Sequence, residues 1–174
     1  MFPQWSLEGG PKSLLERLNA PEARARIKAV IVDRILNDRG GGDAENIVMA
    51  SCVFDPSLDG RNLARIARDR GREPSIENAA ETAIEIQQKG GCSAVYHAIR
   101  EDDIIRILKY PFAMIGSDGE IPMFGRGAPH PRSYGTFARV LGRYVREQRV
   151  LTLEDAMHRM SGLPAARLRL SIAA

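Results

Sequence analysis

The stretch Ala113-Met-Ile-Gly-Ser-Asp-Gly119 decides which fold we predict for this chain. Its short apolar run stops at Gly116, a pattern typical of a buried strand that presents Asp118 at its carboxyl end. In parallel α/β proteins, that end of the sheet carries the chemistry. The alternative is an ordinary Ser-Asp-Gly turn, because such turns are common. We therefore predict a strand over residues 113–117 and leave both interpretations of Asp118 open.

Two further β-prone segments precede this stretch, at residues 46–54 and 92–98. Helical spacing of apolar residues, turn residues and capping residues predict helices around them. The predicted helices cover residues 13–18, 21–37 and 63–70, the last capped by Asn62. Further helices are predicted for a segment capped by Ser75, a segment from Glu101, a long one from about Thr136, and one capped by Thr152. The order of strands and helices predicts parallel β/α units, and hence an α/β protein.

Composition excludes some classes of function. The chain has 174 residues and a formal net charge of +3, but its 25 basic and 22 acidic side chains are intermixed. No basic stripe of the kind that follows a nucleic-acid backbone occurs, and no apolar run is long enough to predict a membrane span. The first residues lack the pattern of a signal peptide. We expect a cytoplasmic protein in which Cys52 and Cys92 are small buried residues rather than a disulfide or a metal pair.

The segments that carry Asp118 also resemble a known family. Ile115-Gly-Ser-Asp-Gly119, Pro129-His-Pro-Arg-Ser-Tyr-Gly-Thr-Phe137 and the segment from Leu153 to Arg167 are similar to the C-terminal part of the D-aminoacylase (N-acyl-D-amino-acid deacylase) family. The similarity extends back through Gly60-Arg-Asn-Leu-Ala64 to Phe2 and covers nearly the whole chain. Family members are longer zinc-dependent amidohydrolases. Their His-x-His motif and further metal ligands do not occur in these 174 residues.

The resemblance implies an architecture. Residues 92–174 are expected to form the last two β/α units of a metal-dependent-hydrolase (β/α)8 barrel. Residues 1–91 are expected to form a loop and helical region with an inserted small α/β, lid-like segment. Two strands cannot close a barrel, so an unpaired edge and an apolar face would remain. We therefore expect self-association or a companion chain that carries the metal site.

The same resemblance suggests site residues. Asp118 matches the family's catalytic aspartate, which moves a proton between a metal-bound water and the leaving amine, and it could contribute weakly to the metal. Arg132 matches the arginine implied to hold the substrate's α-carboxylate, a role suited to a planar guanidinium. Without the resemblance, Arg132 would be an ordinary surface arginine.

The histidines and aromatic residues leave alternatives open. His130 is expected to shape the substrate pocket, whereas His97 either faces the active site or packs in the core, and His158 is expected to be structural. Their spacing matches no zinc pattern. Tyr134 and Phe137 either line the pocket or pack the loop on the following helix. The loop Glu120–Gly127 departs from the family, so the preferred substrate side chain stays unpredicted.

The sequence-based hypothesis is therefore a C-terminal portion of a zinc-dependent amidohydrolase that hydrolyses N-acyl-D-amino acids. Because the main zinc ligands are absent from the chain, we expect no activity without the part that binds the metal. The alternative is a non-catalytic binding or assembly module derived from the same family. Neither hypothesis involves a nucleic acid or a membrane.

Overall fold

The fold is described from a computed structural model, which covers residues Met1–Leu170. The chain divides into two compact units. The first contains Met1–Ala98 and the short segment Gly125–Pro129, and the second contains Ile99–Phe124 and the described residues 130–170. Each unit has a hydrophobic core of its own.

The first unit consists of helices around a two-stranded sheet. Its helices are α1 (Gln4–Leu7), α2 (Gly10–Asn19), α3 (Pro21–Asn37), α4 (Leu63–Asp69) and α5 (Ile76–Gln88), and its strands are β1 (Ile47–Ser51) and β2 (Ser93–Tyr96). On α3, the fully buried Ile27, Ile31 and Ile35 recur every four residues and form one apolar stripe. Glu81 on α5 pairs with Arg24 and Lys28, so the polar edges of α3 and α5 are joined as well.

Capping residues fix where several helices begin. Asn62 Oδ1 accepts a hydrogen bond from Arg65 N at 2.7 Å, and Ser75 Oγ accepts one from Asn78 N at 3.1 Å. In the second unit, Thr152 Oγ1 accepts one from Asp155 N at 3.1 Å. These bonds satisfy amide groups that have no partner within the first turn of a helix. All three caps were predicted from the sequence and are confirmed.

The predicted parallel arrangement is wrong for the two observed strands. β1 and β2 pair antiparallel, with Ile47 opposite Tyr96 and Met49 opposite Ala94. The end of β1 therefore meets the start of β2. This arrangement brings Cys52 and Cys92 together, with their Cα atoms 4.4 Å apart, and they form a disulfide. The expectation of two unpaired, buried cysteines is therefore also wrong. The contact between Cys52 and Cys92 depends on the pairing of two strands that are distant in the sequence, so no local pattern could reveal it.

The second unit is helical within the described residues. Its elements are α6 (Glu101–Leu108), α7 (Arg132–Arg139) with a π-helical continuation (Val140–Glu147), α8 (Leu153–Met157) with a π-helical continuation (His158–Gly162), and α9 (Leu163–Arg167). Its core contains the buried Leu108, Val140, Tyr144, Leu151 and Ala156. The strand predicted at residues 113–117 is absent from the described chain. This segment has no neighbouring strand to bond with, and a strand is defined by such bonds.

Candidate functional site

The turn Ser117-Asp118-Gly119 brings the predicted catalytic carboxylate to the predicted carboxylate-binding arginine. Asp118 Oδ2 forms an ion pair with Arg132 Nη2 at a distance of 3.1 Å. The Asp118 backbone has φ of 47°, in the left-handed region that few residues other than glycine adopt. The Asp118 side chain is 86% exposed and that of Arg132 is 43% exposed. Water therefore reaches both groups, and either can exchange its partner for a ligand.

Close packing holds this turn against the beginning of α7. A Cβ atom added at Gly119 would lie 3.1 Å from Ser133 Cα and 3.2 Å from the Arg132 carbonyl oxygen. Glu120 N donates a hydrogen bond to Ser133 Oγ at 3.3 Å. A side chain at position 119 would require the start of α7 to move away from the turn by a few tenths of an ångström.

A pocket of about 230 Å³ lies where the turn meets α7. It is lined by Ser117, Gly119, Glu120, Arg132, Ser133, Tyr134, Thr136, Phe137 and Ala138. Tyr134 and Phe137 both contribute to the lining and keep 60% and 43% of their surface exposed. Of the two alternatives for these aromatic residues, the structure supports the pocket. A guanidinium, three serine and threonine residues and two aromatic rings suit a small, amphiphilic carboxylate.

Arg159 anchors the segment that leads to Asp118, and the sequence analysis did not identify it. Its side chain is buried, and its guanidinium donates to the carbonyl oxygens of Tyr110 and Ala113 and to Asp155 Oδ2. Its own carbonyl oxygen accepts a hydrogen bond from Ile115 N at 3.2 Å. One residue thus fixes the extended segment 113–117 from two sides. The available signal was the four-residue spacing of Asp155 and Arg159, which is typical of a helical ion pair.

The three histidines do not converge. His130 Nδ1 accepts a hydrogen bond from Arg132 N at 3.1 Å, so this ring caps the start of α7 beside the pocket. His97 follows β2 in the first unit, whereas Asp118 and Arg132 belong to the second. The His97 side chain is exposed, so the alternative of a packed core histidine is wrong. His158 is exposed on the last helical segments rather than packed among apolar neighbours.

A short segment between Asp118 and His130 belongs to the first unit. We call this segment, Gly125–Pro129, the strap. Its Ala128 N donates a hydrogen bond to the Ala50 carbonyl oxygen of β1 at 2.7 Å. A Cβ atom at Gly127 would lie 2.6 Å from the same oxygen. The bond from Ala128 thus depends on glycine at position 127.

No metal centre can be built from the residues that the structure describes. Within Met1–Leu170, no group of three or more His, Cys, Asp or Glu side chains is placed to hold a metal ion. Zinc sites in proteins need three or four such ligands. Asp118 alone does not meet that requirement. None of the described helices is long and apolar enough to cross a membrane.

Comparison with known proteins gives a consistent result. No protein-family model matches the chain. It is 40% identical over 128 residues to the D-aminoacylase of Alcaligenes xylosoxydans xylosoxydans, a match that covers 74% of this chain and 24% of the relative. Among solved structures, it resembles the N-acyl-D-glutamate deacylase of Bordetella bronchiseptica, crystallised with zinc and a phosphonate inhibitor that mimics the tetrahedral intermediate. The TM-score is 0.62 at 36% identity, over 81% of this chain and 26% of that one.

A second solved structure extends the match to almost the whole chain. It is a D-aminoacylase described as defining a novel subset of amidohydrolases, with a TM-score of 0.63 and 31% identity over 98% of this chain. This chain covers only 34% of that protein and 24% of the matched Alcaligenes enzyme. In both sequence and fold, the chain is therefore a relative of the D-aminoacylase group of amidohydrolases and corresponds to about a quarter to a third of their length.

Proposed function

We propose that this chain supplies Asp118 and Arg132 to the active site of a zinc-dependent amidohydrolase that cleaves N-acyl-D-amino acids into a carboxylate and a D-amino acid. The ion pair between these two residues, beside a pocket of suitable size, is the observation that carries the proposal. The carboxylate of Asp118 and the guanidinium of Arg132 are close enough for both to contact one bound N-acyl-amino acid. Similarity to a D-aminoacylase and an N-acyl-D-glutamate deacylase supports the proposed substrate class.

The roles follow from the chemistry of the two side chains. The planar guanidinium of Arg132 would hold the α-carboxylate of the substrate and orient the amide. The carboxylate of Asp118 would take a proton from the attacking water and pass it to the leaving nitrogen. His130, hydrogen-bonded to Arg132 N, would keep the start of α7 in place. His97 lies in the first unit, and its role as a substrate contact stays a prediction from the resemblance.

Zinc in this proposal is bound by residues outside the described part of this chain. A bound zinc ion polarises the amide carbonyl and activates water, but the described residues offer no ligand set for it. We therefore assign no catalytic step of this chain to the metal. The remaining ligands would come from a polypeptide that carries the rest of the D-aminoacylase fold.

Complementation tests this proposal. The partner is the Alcaligenes D-aminoacylase from which the region matching this chain has been deleted. We expect the chain alone to contain no zinc and to hydrolyse no N-acetyl-D-amino acid. The mixture of the two polypeptides should bind zinc and hydrolyse the substrate. Asp118→Asn in the mixture should lower kcat by about 100-fold or more, and Arg132→Gln should act mainly by raising KM.

Two results contradict the proposal. One is a mixture that assembles and binds zinc but hydrolyses at the same rate with Asp118→Asn. The other is stoichiometric zinc binding by the chain alone, which would mean that its own residues form the metal centre. A control variant, Asp103→Asn, changes an exposed carboxylate on α6 and should leave kcat and KM unaltered.

A second candidate is a non-catalytic module that binds carboxylates. The exposed guanidinium of Arg132 beside the pocket favours it, because this group can bind a carboxylate without a metal. In that case Arg132→Gln abolishes binding of N-acetyl-D-amino acids to the chain, while no complementing polypeptide produces hydrolysis.

A further inference from the structure

The pocket at α7 contains charges of both signs. In its lining, as far as the described chain forms it, the charged residues are Glu120 and Arg132. Glu120 is fixed at its backbone, since its N–H donates to Ser133 Oγ at 3.3 Å, one residue after Arg132. A ligand whose α-carboxylate is bound by Arg132 therefore occupies a pocket that also contains the acidic residue Glu120. No role for Glu120 follows from the pairing of Asp118 with Arg132.

We propose that Glu120 determines the substrate side chain: it disfavours N-acyl-D-amino acids with acidic side chains and favours neutral or basic ones. This inference rests on the proposed function, because it takes Arg132 as the group that holds the α-carboxylate. The pocket then offers the carboxylate of Glu120 and its two aromatic rings, Tyr134 and Phe137, to the rest of the ligand. An aliphatic stem packs on the rings, and a cationic end is attracted to Glu120.

Simple electrostatics gives the size of the effect. Two like charges about 5 Å apart repel in water by enough to weaken binding about fourfold, and by more where the pocket excludes water. Opposite charges strengthen binding by a similar factor. A side-chain carboxylate should thus cost about fourfold or more relative to the neutral amide of the same shape. The solved N-acyl-D-glutamate deacylase, in contrast, is named for an acidic substrate.

The test compares three ligands that share an N-acetyl group and an α-carboxylate: N-acetyl-D-glutamate, N-acetyl-D-glutamine and N-acetyl-D-lysine. The purified chain is labelled with nitrogen-15, and the amide signals of α7 are followed during titration. We expect the glutamate ligand to bind at least about fourfold more weakly than the glutamine ligand, and the lysine ligand to bind most tightly. Glu120→Gln should bring the glutamate and glutamine affinities within about twofold of each other.

Matched variants separate the possible failures. Glu154→Gln makes the same chemical change on the exposed part of α8 and should leave the ratio of affinities unaltered. If Arg132→Gln changes none of the three affinities, the proposed function fails. If Arg132→Gln weakens all three but Glu120→Gln leaves the glutamate-to-glutamine ratio unaltered, only the inference about Glu120 is overturned. Failure of all three ligands to bind at their solubility limit contradicts both.

Discussion

The pair formed by Asp118 and Arg132 has a consequence at the scale of single residues. In the ligand-free chain, the guanidinium proposed to hold a substrate carboxylate is already bound by the proposed base, at 3.1 Å. In the proposed mechanism, a substrate carboxylate that takes the place of Asp118 on Arg132 would free Asp118 to act as a base. Because both groups are exposed, the displacement costs little: ion pairs of this kind contribute about 0–1 kcal/mol.

We predict that Asp118→Asn strengthens carboxylate binding to the isolated chain. Removing the competing charge should raise the affinity for N-acetyl-D-alanine by up to about fivefold, the equivalent of about 1 kcal/mol. Nuclear magnetic resonance titration of the α7 amides gives the affinities. The control Asp103→Asn removes an exposed charge from α6 and should have no effect. Weaker binding by Asp118→Asn would instead mean that Asp118 contacts the ligand directly and favourably.

Among the elements, local patterns predicted helices well and strand pairing poorly. Caps at Asn62, Ser75 and Thr152 depend on neighbours three residues away, which the sequence displays directly. Strand pairing depends on distant residues. Residues 112–118 do alternate between exposed and partly buried positions, as a strand would. The alternation shows that one face of the segment is packed, but it does not show that a neighbouring strand exists. Alternating burial with a period of two therefore cannot distinguish a strand from an isolated extended segment.

The residues of the candidate site likewise include some that the sequence predicted and one that it did not. The sequence suggested Asp118, His130 and Arg132, and the structure places all three around the start of α7. The sequence could not reveal the role of Arg159, because its partners at Tyr110 and Ala113 are backbone oxygens about fifty residues earlier in the chain. Backbone acceptors carry no sequence signature. A buried arginine that serves them therefore looks like any charged residue on a helix.

Arg159 gives a prediction for the segment before Asp118. Replacing Arg159 by Met removes the guanidinium from Asp155 and from the carbonyl oxygens of Ala113 and Tyr110, of which Tyr110 keeps its bond from Ala113 N. The cost to the stability of the second unit should be about 2–3 kcal/mol. Amide hydrogen exchange over residues 110–117 should accelerate accordingly. Arg146→Met, at an exposed position of the same unit, should change stability by no more than about 0.5 kcal/mol. Equal exchange in the two variants would show that Arg159 does not hold this segment.

The strap gives a prediction with a closely matched control. Gly125 and Gly127 both have left-handed backbones, with φ of 78° and 64°, so alanine at either position carries a similar conformational cost. At Gly127 the new methyl would also meet the Ala50 carbonyl oxygen, whereas nothing lies within 4 Å at Gly125. Gly127→Ala should therefore break the bond from Ala128 N to Ala50, and Gly125→Ala should keep it. The measurement is hydrogen exchange of the Ala128 amide, which should be faster than in the parent chain only in the Gly127→Ala variant.

The disulfide gives a prediction for the sheet. Closing a loop of about 40 residues between Cys52 and Cys92 restricts the unfolded chain, and its removal should cost up to about 4 kcal/mol. We expect the double variant Cys52→Ser, Cys92→Ser to unfold at lower urea concentration. Trp5, which packs against the core of the first unit, reports the transition by fluorescence. A thiol reductant should shift the parent chain towards the variant and leave the variant unchanged; an unshifted parent would contradict a stabilising bond.

At the scale of the whole molecule, this chain and its relatives differ in extent. The chain covers 24% of the matched D-aminoacylase and 34% of a solved one, so most of the surface that surrounds this region in those enzymes lies outside it. Large apolar side chains are exposed at several positions of the second unit. Among them are Ile107, Tyr110, Phe112, Met114, Ile121, Met123 and Phe124. Exposed apolar side chains in such number are typical of surfaces that are covered in an assembly.

We therefore predict that the isolated chain self-associates through this region. Tyr110 and Phe112, with ring centroids 5.9 Å apart in an edge-to-face contact, form one exposed aromatic pair within it. Replacing both by Ser removes apolar area worth about 2–3 kcal/mol in an interface, which should weaken association by about 30- to 150-fold. Sedimentation velocity over a range of concentrations measures this. Val53→Ser, at a side chain that is 94% exposed in the first unit, should associate like the parent. A parent chain that stays monomeric throughout would mean that these aromatic residues tolerate water without a partner.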